Sequence, residues 1–228
     1  MTSSWLTKSA LGVAGLGTAT TGAIYFGTDL LKSKKTVSEL IKDFKKDKRL
    51  ISAKEGSDPK WKAAWKHYRE SNKTRNKDEW IVQGWSKVDG DIEDADAPKD
   101  FIDKCKSKSS QKIVDEKDPL FSQVVSYCTR DTLVSDLIEE YGNGKKLLVK
   151  GSDFANDKDW KAVWDLYKKD NDSASKDRWE VGKTDWSSKK SETTVPAEFA
   201  EECLKKAHVP EYRTENLSYT DVLKYCTK

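Results

Sequence analysis

Four cysteines, two histidines and one dense run of acids are the residues in this 228-residue chain whose types could support chemistry. Cys105 and Cys128 stand 23 positions apart, and so do Cys203 and Cys226. A cysteine-based zinc site needs four ligands at one place. Each pair supplies two, and His67 and His208 do not occur as matched partners, so no metal site is expected. Nucleophilic catalysis needs a Cys or Ser beside a base at fixed geometry. The chain contains no G-x-S-x-G, P-loop, dinucleotide fingerprint or H-E-x-x-H pattern. The acids between Asp89 and Asp96 lack the fixed positions and closing Glu of a calcium loop, and read as a solvated charge run. No catalytic residue, cofactor or metal is expected, and the chain reads as non-enzymatic.

The elements that carry the cysteines come in two sets. Val37, Leu40, Ile41 and Phe44 recur 97 positions later as Val134, Leu137, Ile138 and Tyr141. WKAAWKHY (61–68) recurs as WKAVWDLY (160–167), Trp80 as Trp179 and, more loosely, Trp85 as Trp186. Phe101 and Cys105 match Phe199 and Cys203, and Tyr127-Cys128-Thr129 matches Tyr225-Cys226-Thr227. Matches kept in order at nearly constant offset indicate two homologous units with loop insertions. The expected organisation is 1–35 as an N-terminal segment, 36–130 as repeat one and 131–228 as repeat two.

Apolar residues spaced i, i+3, i+4 and i+7 form one stripe on a helix. By that criterion each repeat carries about four helices, and the fold class is mostly α. Trp61, Trp65 and Tyr68 share one helix face, as do Trp160, Trp164 and Tyr167, and all six are expected in the core. Asp58 followed by Pro59 is a good helix start, and further helices begin near Pro98 and Pro196. Leu50-Ile51 and Leu147-Leu148-Val149 leave room for a short β element.

Both cysteines of each unit fall on apolar helical stripes. Two helices packed stripe to stripe would join Cys105 to Cys128 and Cys203 to Cys226. The alternative is two buried thiols per unit, which cysteine tolerates as a small hydrophobe. Disulfides persist mainly outside the cytosol, so the N-terminus bears on the choice. Residues 9–28 carry no charge, and twenty helical residues span about 30 Å, the thickness of the hydrocarbon layer. Trp5 and Tyr25 suit the membrane interface. Gly15, Ala19, Ala23 and Gly27 form a small-residue seam at i, i+4 spacing, which lets two membrane helices approach closely. The expectation is a membrane anchor or uncleaved signal-anchor, with a cleaved secretory signal and a glycine-rich soluble leader as alternatives. With no cysteine before Cys105, lipid attachment as a lipoprotein is excluded.

Charge excludes a nucleic-acid wrapper. Repeat one has 21 basic and 18 acidic residues, whereas repeat two has 17 basic and 20 acidic. Phosphate-backbone binding as the purpose of the fold would call for both copies to be basic. Lys32, Lys34 and Lys35 outnumber Lys8, and positive flanks favour the cytoplasmic side. The paired cysteines argue for the outside.

With MTSSWLTKSALGVAGLG at the start, the WKAxWxxY helices and the two YCT motifs, the chain resembles the paralogous surface-type proteins of haemotropic mycoplasmas. The resemblance implies a large paralogous set associated with host interaction or antigenic variation, and it supplies no catalytic residues. The module occurs twice here, which departs from the family pattern. The combined expectation is a membrane-anchored protein with its repeats outside, binding a host protein or cell surface or presenting a variable antigenic surface. The second reading is a structural or assembly module that self-associates through its N-terminal helix.

Overall fold

A computed structural model describes residues 33–183 and 185–228. The charge-free stretch, including Gly15, Ala19, Ala23 and Gly27, lies outside the described residues. No helix among the described residues is long and apolar enough to cross a membrane.

The described chain is mostly helical. In order, the elements are β1 (Lys35–Thr36), α1 (Val37–Phe44), β2 (Lys48–Leu50), α2 (Pro59–Asn72), α3 (Lys99–Ser109), β3 (Lys112–Ile113), α4 (Pro119–Cys128) and β4 (Thr129–Asp131). They continue with α5 (Val134–Tyr141), α6 (Lys158–Asp170), the one-turn α7 (Trp186–Lys189), α8 (Ala197–Ala207) and α9 (Leu217–Tyr225). Strands β1 and β3 pair antiparallel with Lys35 opposite Ile113, and β2 pairs antiparallel with β4, Arg49 opposite Arg130. Single bridges join Leu133 to Pro210 and Leu147 to Thr227.

Local chemistry sets the helix starts. Thr36 and Glu39 form a reciprocal capping box on α1, the Glu39 carboxylate accepting the Thr36 N–H at 2.7 Å. Asp58, Asp118, Asp157 and Asn216 accept backbone N–H groups at the first turns of α2, α4, α6 and α9. Pro59 and Pro119 take the first helical position, where a missing N–H costs nothing. Helices α3 and α8 start directly after Pro98 and Pro196.

Two apolar clusters form. One runs from Val37 to Cys128, the other from Val134 to Cys226. Trp61, Trp65, Tyr68, Trp160, Trp164 and Tyr167 are all buried. Phe101 packs against Trp61, Trp65, Tyr68 and Trp80, and Phe199 packs against Trp160, Trp164, Tyr167 and Trp179.

Several details differ from the periodicity. Phe44 and Tyr141, the last positions of their stripes, are exposed, because α1 and α5 end at those residues and the chain turns away. Leu148 is buried but Val149 is exposed, the alternation of an extended segment rather than a continuous apolar run. Trp186 is buried on α7 and its indole N–H reaches the Asn171 carbonyl at 2.9 Å, whereas Trp85 only packs at the margin of its cluster.

Residues 130–132 do not form a free linker. Asp131 belongs to β4, and the Thr132 N–H reaches the Asp47 carbonyl at 2.8 Å. The Thr132 hydroxyl donates to the Lys46 carbonyl at 2.8 Å and accepts from Arg49, while Arg49 pairs with Glu140 at 2.8 Å.

Candidate functional site

All four cysteines are paired. Cys105–Cys128 and Cys203–Cys226 are disulfides, each with Cα atoms 5.5 Å apart. Cys105 is on α3 and Cys128 closes α4. Cys203 is on α8, and Cys226 sits one residue past α9, so three of the four lie within helices.

Within each apolar cluster is a buried polar network that helical periodicity does not reveal. The Tyr68 hydroxyl donates to Asp78 at 2.6 Å and accepts the Trp80 N–H at 2.8 Å. In the other cluster the Tyr167 hydroxyl donates to Asp177 at 2.5 Å and accepts the Trp179 N–H at 2.8 Å. Asn72 and Asn171 complete these networks. Each amide donates to the carbonyl of the preceding Tyr and accepts the N–H of Glu79 or Arg178. Burial pushes both phenols well above the usual tyrosine range, helped by the adjacent carboxylate. Burial would raise the Asp177 carboxyl, but Tyr167 and the N–H groups of Gly182, Val181 and Trp179 hold it below the ordinary value. The sequence carries a signal for these networks, since Lys77-Asp78-Glu79-Trp80-Ile81-Val82 resembles Lys176-Asp177-Arg178-Trp179-Glu180-Val181, but helical periodicity marks only the tryptophan.

Wrapping the chain around these carboxylates bends the backbone. Ile81 and Glu180 have φ of 53° and 55°, a left-handed conformation that a β-branched side chain adopts at a cost of about 1–2 kcal/mol. The Ile81 side chain is exposed and buries little. Ile81→Gly should therefore stabilise the protein by about 1 kcal/mol, the relief of strain exceeding the extra freedom of the unfolded chain. Urea titration checks this, and a midpoint below that of the parent protein would count against the strain argument.

These networks are enclosed, so they hold the fold and do not meet a ligand. The surface feature with functional character is an open groove of about 380 Å³ where the two clusters meet. Its lining includes Lys48, Lys60, His67, Ser126, Arg130 and His208. Helix α2 presents Lys60 and His67, α4 presents Ser126, and β2 and β4 present Lys48 and Arg130. His208, the residue that ends α8, enters from the second cluster. Both histidines of the chain thus line one cavity.

His67 Nε2 is 2.9 Å from Ser126 Oγ, and the His208 Nδ1–H donates to the Leu204 carbonyl at 2.7 Å. The His67–Ser126 contact has the first geometric feature of a nucleophile and its base. Among the described residues no carboxylate is hydrogen-bonded to the other ring nitrogen to orient the imidazole. Arg130 makes two hydrogen bonds to Asp136, at 2.6 and 2.8 Å, and Lys48 pairs with Asp131 at 2.7 Å. Burial alone would raise the Asp136 carboxyl, but Arg130 and the Leu133 N–H hold it below the usual carboxylate range. No group of three or more His, Cys, Asp or Glu among the described residues is arranged to hold a metal ion.

The acids Asp94 and Asp96 of the charge run pair with Lys66 and Lys62 on α2, each at 2.9 Å. Comparison with known proteins finds no matching family model, no matching curated protein and no matching solved structure.

Proposed function

We propose that the chain is a membrane-anchored cell-surface protein, two copies of one helical module displayed outside the cell, with a non-enzymatic role in host interaction or antigenic presentation. The observation that carries this reading is the pairing of all four cysteines, because such bonds persist mainly in oxidising compartments. The charge-free stretch at 9–28 supports an anchor, and the resemblance to the surface-type proteins of haemotropic mycoplasmas supports the display role.

The distribution of invariance between the two copies agrees with it. Buried groups recur with their partners: Tyr68–Asp78 with Tyr167–Asp177, Cys105–Cys128 with Cys203–Cys226, and the Trp61 indole N–H on Ala53 with that of Trp160 on Val149. Exposed positions diverge: His67 stands where the second copy has Leu166, and Ser126 where it has Lys224. A scaffold held constant under a changing surface suits display. The second reading, an assembly module, rests on the seam of Gly15, Ala19, Ala23 and Gly27.

Protease added to intact cells separates the two. A displayed protein loses both units while a cytoplasmic marker stays intact. Complete resistance, together with crosslinking through the N-terminal segment, would sink the display reading in favour of assembly.

A further inference from the structure

The two copies differ in charge at several places, and one of these differences falls in the groove. In the first turn of α6, Asp159 pairs with Lys228 at 3.2 Å. The matching positions of the first copy, 99 and 98 residues earlier, hold Lys60 and Arg130. An ion pair in one copy is thus replaced by two cations in the other, and both line the same cavity. Lys60 makes no ion pair among the described residues.

The other positions in the groove are mixed. Leu166 is replaced by His67 and Lys224 by Ser126, Thr129 matches Thr227, and His208 enters from the second copy. Carboxylates engage Lys48 and Arg130, and Lys60 is left without one among the described residues. Asp131 is the one carboxylate in the lining and is engaged by Lys48, Asp136 is engaged by Arg130, and Asp58 acts on Arg130 through space. Like charges facing one cavity repel, and an anion between them reverses the sign of that energy. A cavity of about 380 Å³ is within the range of small-molecule sites.

We propose that this groove binds the phosphate group of a small phosphorylated ligand. Lys60 supplies the unpaired charge, Ser126 a hydroxyl donor, Arg130 a guanidinium already held by Asp136, and His67 and His208 line the opening from the two copies. Lysine and arginine bind phosphate through charge-assisted hydrogen bonds. This site does not depend on the display reading, and shaving experiments leave it untouched.

The chain's two histidines make the test site-specific. The full chain, held in an uncharged maltoside micelle, is titrated with inorganic pyrophosphate while the imidazole C–H resonances are followed. Both resonances should move on one saturable curve with half-saturation below about 1 mM. Lys60→Asp, which installs the acid of the second copy, should weaken binding at least about tenfold with the melting temperature preserved. Lys176→Asp, the same charge change on an exposed residue outside the groove, should leave binding unaltered. Glucose 6-phosphate and a soluble short-chain phosphatidylinositol phosphate then separate a free ester from a lipid headgroup, the tighter Lys60-dependent binder identifying the source. Non-saturating shifts, movement of only one histidine, or equal weakening by the Lys60 and Lys176 variants would overturn the proposal.

Discussion

Asp177→Ala should lower the stability of the second unit by about 3–5 kcal/mol, among the largest effects open to a single side chain here. The carboxylate is almost fully buried and accepts four hydrogen bonds, from the Tyr167 hydroxyl and from the N–H groups of Trp179, Val181 and Gly182. Alanine removes the common acceptor of four donors, and water cannot reach the site to replace it. Buried donors left without partners cost about 1–3 kcal/mol each, less than additively because some will relax together. At about 2–4 °C per kcal/mol for a chain of this size, the melting transition should fall by roughly 10 °C. A shift under about 3 °C in calorimetry would show that the network is not holding the turn.

The same carboxylate gives the effect a pH signature. Its folded pKa lies below the ordinary 3.8, so its contribution is present above that value and is lost as pH falls through the folded pKa. The stability gap between parent and Asp177→Ala should be constant from neutral pH to about pH 5 and should close in stronger acid. The phenols act at the other end. Tyr68 and Tyr167 titrate well above 10 in the fold, so the unfolded chain ionises first and stability declines as pH rises past about 10.

The parts of the structure legible in the sequence were those written in side-chain periodicity. Trp61, Trp65 and Tyr68 repeat at helical spacing because one face of α2 is buried, and Trp160, Trp164 and Tyr167 do so on α6. Cysteines 23 positions apart on two apolar stripes were legible for the same reason. The Tyr–Asp networks were not, because Asp78 and Asp177 sit in irregular backbone, where no period flags a buried acid and a charged residue ordinarily faces water. Phe44 and Tyr141 were misplaced because periodicity cannot sense where a helix stops. The groove was the least legible part. It is assembled from β2, α2, α4, β4 and the end of α8, and its two histidines are 141 positions apart in sequence, so only the folded chain joins them. One clue was available: the positions where the two similar stretches of sequence disagree in charge, such as Lys60 against Asp159.

Replacing Cys105 and Cys128 together by Ala, or Cys203 and Cys226 together, should each cost about 3 kcal/mol, the entropy returned to an unfolded chain when a loop of 23 residues is opened. Alanine avoids burying an unpaired hydroxyl in the place of sulfur. The loss is a large share of the stability of a core this small, and reduction of the parent protein, which opens both bonds, should reproduce the sum of the two. The two losses should also be separable. The apolar clusters share no residue, and the links across the junction are polar: Arg49–Glu140, Lys48–Asp131, Arg130–Asp136, and Thr132 with Arg49, Lys46 and Asp47. Each double variant should therefore destabilise its own unit first, and calorimetry should resolve an early transition for the altered unit while the other stays near its parent temperature. Combining all four substitutions should give the sum within about 0.5 kcal/mol. If either pair alone shifts both transitions equally, the junction couples the units strongly and the chain unfolds as one interwoven body.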